Sequence, residues 1–142
     1  MRILGVDYGE VRTGLAASDE GGIAAFGIGT FKARGLHDLA DIIVREAGER
    51  GCGRIVIGLP VNMDGTQGEK CERVRLLGGC IAEKCDIPVE YYDERLTTVV
   101  AHQYLNAVNL RGKKRKDKVD TLAAEIILQN YLDAQPKGGA TV

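Results

Sequence analysis

The feature that most restricts this chain is its opening stretch, MRILGVDYGEVRTGLAAS, in which an acid closes a short apolar strand. Arg2 to Asp7 carries Ile3, Leu4 and Val6 without helical periodicity and reads as a β-strand. Tyr8 and Gly9 follow at once, a turn runs from Gly9 to Arg12, and Thr13 to Ser18 is a second strand. A carboxylate in an apolar strand is costly to bury without a partner. Asp7 therefore calls for a compensating charge, and a bound cation is the most economical one. The alternative is an exposed Asp at the entrance of a hairpin, where Asp and Gly are common.

The rest of the chain reads as strands and helices in alternation. Asp19-Glu20-Gly21-Gly22 is a hairpin turn by composition, and Ile23 to Phe31 a glycine-rich third strand near an edge. Leu36, Leu39, Ala40, Ile43 and Ala47 recur at helical spacing, which predicts a helix from Leu36 to Arg50, ended by Gly51 and Gly53. Arg54 to Gly58 is a nearly all-apolar strand of the kind buried on both faces of a parallel sheet. Leu59 to Gly68 is a loop, Glu69 to Cys85 a second helix, and Pro88 to Tyr92 a fifth strand ending in Asp93-Glu94-Arg95. Thr97 or Thr98 can cap a third helix running to Val108. Asn109 to Lys118 is a basic connection, Asp117 an N-cap, and Val119 to Asp133 a last helix. The reading is one α/β domain, residues 1–133, followed by a disordered tail, residues 134–142. Its sheet is mixed and five-stranded, three strands antiparallel and two parallel, flanked by helices.

Several classes drop out on composition. At 142 residues, 44% hydrophobic and 27% charged, the chain is an ordinary globular domain able to bury a core. A formal net charge of -1 means that any nucleic-acid surface is local. Neither a signal peptide nor an apolar run of membrane length is visible, which points to the cytoplasm and away from membranes. The cysteines, Cys52, Cys71, Cys80 and Cys85, form no C-x-x-C pair. They read as reduced core thiols, not as zinc ligands or disulfides.

In open sheets of this kind ligands gather at the carboxyl ends of the strands. That rule brings together Asp7, the loop bearing Asn62 and Asp64, and Asp93 with Glu94. On the last helix, Ala124, Ile127 and Tyr131 follow Asp120 at helical spacing, so Asp120 opens an inward-looking stripe. Asp7, Glu94 or Asp93, and Asp120 are then three carboxylates from three elements converging on one sheet edge. Clustered carboxylates repel unless a cation neutralises them. Hard oxygen ligands favour Mg²⁺ or Mn²⁺, and two such ions can cleave a phosphodiester. Lys113, Lys114, Arg115, Lys116 and Lys118 lie just before Asp120, where they either form a solvated loop or hold a phosphate backbone.

Four blocks of sequence resemble the YqgF (RuvX-type) proteins over about Arg2 to Asp133. They are Gly5-Val6-Asp7-Tyr8-Gly9 with Arg12 and Gly14; Gly58 through Thr66 (GLPVNMDGT); Asp93 through Thr98 (DERLTT); and Lys118-Val119-Asp120 with Ala123-Ala124. The resemblance implies a ribonuclease H-like fold and a divalent-metal-dependent nuclease described as acting on precursor ribosomal RNA or Holliday junctions. It implies a first acid at Asp7, a second in the DER segment and a third at Asp120. Glu94 is preferred as the second, with Asp93 in reserve; strand alternation sets the two on opposite faces, so only one of them reaches the metals. The fold's usual pattern puts the second acid after strand four, where this chain offers Asp64. Arg12, Asn62, Thr66 and Arg95 are candidate substrate contacts, although ion pairing and turn chemistry account for them equally well.

The expected partner is structured RNA such as precursor rRNA, or branched DNA, bound by a monomer or a homodimer. Two other classes compete. One is a non-catalytic nucleic-acid-binding module in ribosome assembly or transcription, which would bind in EDTA and cleave nothing. The other is an actin-like ATPase or sugar kinase, because Asp7-x-Gly9 with Gly14 resembles its first phosphate loop. That fold needs two such domains, which 142 residues cannot supply.

Overall fold

The computed structural model describes residues 1–96 and 116–136, apart from the side chains of 116–120. Five strands form one sheet: β1 (Arg2–Asp7), β2 (Thr13–Ser18), β3 (Ala25–Phe31), β4 (Cys52–Leu59) and β5 (Val89–Asp93). Their order is β3-β2-β1-β4-β5. β1, β2 and β3 pair antiparallel, while β1–β4 and β4–β5 pair parallel. The helices are α1 (Leu36–Glu49), α2 (Glu69–Lys84) and α3 (Lys116–Ala134), and a short 3-10 turn, Glu94–Leu96, follows β5. Among the described residues no helix is long and apolar enough to cross a membrane.

Alternation along β1 sorts the molecule into two layers. Leu4 and Val6 face α1 and α2 in a cluster with Leu15, Ile43, Ile55, Ile57, Val74, Leu77 and Ile81, and each of these is fully buried. Ile3 faces the other way, into a smaller cluster with Ala16, Val56, Ala124, Leu128, Tyr131 and Leu132. Each large aliphatic side chain among them contributes about 1.5–3 kcal/mol relative to exposure. Gly5, between them in register, lets α3 approach: a Cβ there would meet Leu128 Cβ at 2.8 Å. The expected stripe Ala124, Ile127, Tyr131 is buried as read.

Two junctions explain the chain's turns. In the β1–β2 turn a Cβ on Gly9 would sit 2.1 Å from the Arg12 carbonyl, so only glycine fits. At Asp19 the predicted hairpin turn forms: Oδ1 accepts from the amides of Ile23 and Ala24, which holds that carboxyl below the usual carboxylate range.

α3 also closes the β3 edge. Gln129 Oε1 accepts from the Ala25 amide at 2.9 Å and Glu125 Oε1 from the Gly27 amide at 2.6 Å. Tyr131 takes a hydrogen bond from Arg54 at 2.8 Å and donates to Glu90, fastening another side of the helix to β4 and β5.

Some expectations shift. α3 begins at Lys116, not Val119, so Asp117 lies inside the first turn and is not the N-cap. Helical stability comes largely from packing of an apolar stripe, which lets the helix run back over residues whose composition reads as a loop. Cys85 falls just past α2, and the four cysteines are free thiols. The helix expected from Thr97 to Val108 and the basic residues Lys113, Lys114 and Arg115 lie outside the described residues.

Candidate active site at the carboxyl edge of the sheet

Asp7 is the last residue of β1 and half-buried, opposite Gly14 of β2. Parallel pairing of Val6 with Ile57 brings the next residue, Asp7, level with Gly58 of β4. Because Ile3, Gly5 and Asp7 share a face, Asp7 belongs to the α3 side of the sheet.

Glu94 reaches the same place from β5. A Cβ built on Gly58 would lie 3.0 Å from Glu94 Oε2 and 2.8 Å from Ile127 Cδ1. The missing side chain of Gly58 is thus the seat in which the Glu94 carboxylate rests. On β5, Tyr92 and Glu90 face α3 through Tyr131, whereas Tyr91 places its hydroxyl against Gly78 of α2. Asp93 shares the face of Tyr91, and Glu94, one residue on, returns to the side of α3.

Asp93 has a different occupation. It receives Arg95 Nε at 3.0–3.1 Å, Nη2 at 2.7 Å and the Arg95 amide at 2.9 Å. This two-pronged grip holds its carboxyl below the usual range. Arg95 also donates from Nη1 to the Asn62 carbonyl at 3.5 Å, tying the β4–α2 loop to the DER segment. Within that loop Asn62 donates to the Thr66 hydroxyl at 2.9 Å, which donates to Asp64 Oδ1 at 2.6 Å. The Asp64 carboxyl is thereby held low, chiefly by that hydroxyl. Asn62, Asp64, Thr66 and Arg95 thus form a self-bonded rim, and Asp64 is engaged away from the Gly58 seat.

α3 runs antiparallel to β1, with Leu132 near the Gly22 turn, Leu128 over Gly5 and Ile127 over Gly58. Asp120 stands one helical turn before Ala124, towards the carboxyl edge, and its side chain lies outside the described residues. Arg12, half-buried, is the last residue of the β1–β2 turn. Among the described residues no three His, Cys, Asp or Glu side chains group closely enough to hold a metal. Asp7 and Glu94, each placed beside Gly58 at this edge, offer hard carboxylate oxygens of the kind that suits Mg²⁺ or Mn²⁺. Gly58 was visible in the sequence as part of a motif, but its role as a seat could be found only from the approach of β5.

Comparison with known proteins gives a consistent picture. A family model described as RuvX, Holliday junction resolvase, matches residues 1–134. A protein of Heliobacterium modesticaldum named "Putative pre-16S rRNA nuclease" is 45% identical over 139 residues, 95% of this chain and 91% of its own. A Pelotomaculum thermopropionicum protein of the same name is 39% identical over 136 residues, 95% of this chain and 88% of its own. Among solved structures, T. thermophilus RuvC in complex with a Holliday junction substrate superposes with a TM-score of 0.59 at 15% identity, covering 94% of this chain and 95% of that one. Fowlpox virus resolvase with Holliday junction DNA gives 0.51 at 13% identity, covering 96% and 100%. At such identities the structural likeness shows the ribonuclease H-like fold.

Proposed function

Because the chain belongs to the RuvX family of Holliday junction resolvases, we propose that it is a nuclease hydrolysing phosphodiesters with divalent cations, its substrate the 5′ region of precursor 16S rRNA. Four-way DNA junctions are the other candidate substrate. The observation that carries this reading is that Glu94 rests against Gly58, level with Asp7 at the end of β1, on the face covered by the helix that bears Asp120. Two carboxylates brought from separate strands to one edge are costly unless a cation or a proton offsets them.

Asp7, Glu94 and Asp120 would hold the cations, with Asp93 kept out of that set by Arg95. Bound there, such ions would lower the pKa of a water and stabilise the leaving oxygen. The chain's own part is to fix its acids on rigid strand and helix ends. Arg12, Lys113, Lys114 and Arg115 are proposed to grip the phosphate backbone, while Asn62, Thr66 and Arg95 shape the rim past which it runs. A role in rRNA maturation would have the protein act in the cytoplasm.

The test is cleavage of precursor rRNA fragments and four-way junctions in Mg²⁺ or Mn²⁺. Asp7→Asn, Glu94→Gln and Asp120→Asn each fall to background while Asp93→Asn keeps most activity. Equal cleavage with and without Asp7 refutes the proposal. Binding that persists in EDTA with no cleavage of either substrate favours a non-catalytic binding module.

A further inference from the structure

On the side of the sheet away from α3, behind Asp7, lies a cavity of about 130 Å³ between the β1–β2 turn, the β3–α1 connection and the start of α2. Tyr8, which follows Asp7 and turns to the opposite face, is 5% exposed and forms part of its floor. Arg73 of α2 lines it and donates from Nε to the Tyr8 hydroxyl at 2.9 Å. That bond orients the guanidinium and uses one corner of its fork. Neither Nη group of Arg73 makes a hydrogen bond among the described residues. Arg34 borders the same space, and its only hydrogen bond among them is from the backbone amide to Asp38.

The remaining wall is mixed. Phe31 and Leu36 supply apolar surface, which lowers the local dielectric and strengthens any ionic contact made there. The lining carries two guanidiniums against the carboxylate of Glu10, and Glu69, at the start of α2, also acts on Arg73. The space is well below the about 300–1,000 Å³ of pockets for whole small molecules, so it suits one compact group. A planar fork with free N–H groups, held in place, matches the oxygens of a phosphate.

We propose that this cavity is a phosphate seat, taking a backbone phosphate of the substrate strand beside the one cleaved, with Arg73 as its main grip, Arg34 as its second and Tyr8 as the residue that positions Arg73. The proposal rests on the nuclease reading above and adds a path to it. The strand would cross the carboxyl edge of the sheet from the α3 face, where Asp7 stands, to the α1–α2 face.

The experiment measures affinity for a four-way junction and for a precursor-rRNA hairpin across a range of salt, in full-length protein made cleavage-dead by Asp7→Asn. Adding Arg73→Ala should weaken binding about tenfold and reduce the salt slope by about 0.7–0.9, the loss of one phosphate contact. Arg34→Ala should reduce the slope likewise, whereas Tyr8→Phe should weaken binding without changing it. Folded Arg73→Ala and Arg34→Ala proteins with unchanged affinity and slope overturn the seat. Cleavage by protein with Asp7 intact would then leave the nuclease reading standing. No binding together with no cleavage defeats both. Inorganic phosphate provides the other arm: if it raises the melting temperature only when Arg73 is present, while strand affinity ignores Arg73, the occupant is free phosphate and the strand assignment is wrong.

Discussion

Replacing Gly58 by alanine tests the seat of Glu94 directly. The new methyl would stand 2.8 Å from Ile127 Cδ1 and 3.0 Å from Glu94 Oε2. Ile127 meets it with a terminal methyl that can rotate away, so the stability loss should be small, about 1 kcal/mol. Glu94 must retreat by roughly 0.4–1 Å to regain ordinary contact, at or beyond the about 0.5 Å within which a reactive constellation must be held. A displacement of that size predicts a cleavage rate lowered about 10- to 100-fold. Single-turnover cleavage at fixed Mn²⁺ reads this, with urea unfolding alongside. Gly5→Ala is the contrasting variant. Its methyl would meet Leu128 Cβ at 2.8 Å, an atom tied to the backbone of the helix that bears Asp120. It should cost more stability, about 2–3 kcal/mol, so its rate loss should come with a large loss of stability, whereas that of Gly58→Ala should not. A folded Gly58→Ala protein that cleaves at full rate would show that Glu94 does not act from this seat.

Tyr131→Phe removes the hydroxyl that joins Arg54 to Glu90 and should lower stability by about 1–2 kcal/mol in urea, with m and cleavage unchanged. Gly27→Ala would put a methyl 1.9 Å from Thr121 Cγ2 and lift the first half of α3. More than about 2 kcal/mol should be lost, together with cleavage and hydrogen-exchange protection at the Ala25 and Gly27 amides. Asp19, Asp64 and Asp93 have carboxyls lowered by the amides of Ile23 and Ala24, by Thr66 and by Arg95 respectively. Depressed folded values mean stabilisation that is complete above the unfolded carboxylate value of 3.8 and is lost as pH falls through the lowered ones. Stability measured from pH 6 downward should therefore hold to near pH 4 and then decline, and Asp19→Asn should flatten that decline.

The sheet was legible because its signals are local. β1 and β2 have the boundaries read from alternation and from the Gly9 turn, and α1 and α2 follow their apolar spacing to within a residue. The start of α3 was not, since the run from Lys113 to Lys118 has the composition of a solvated loop, whereas the helix takes in its last residues from Lys116 on. In the site, periodicity could separate Asp93 from Glu94 by face but could not say which one was spoken for. That needed Arg95, whose grip on Asp93 is a contact of side chains along a turn. The cavity behind Asp7 was beyond sequence reasoning altogether, because Tyr8, Arg34 and Arg73 meet only once β1, the β3–α1 connection and α2 have packed.

The capture of the β3 amides by Glu125 and Gln129 bears on how copies of this chain can associate. An outer strand with open amides is a template on which another chain can lay its own strand. Here the Ala25 and Gly27 donors are already spent on the protein's own last helix. A second molecule seeking to extend the sheet from that border would first have to prise α3 loose, sacrificing the cover over Ile3, Ala16 and Val56. Strand pairing between protomers through the Ala25–Gly27 stretch is thereby disfavoured.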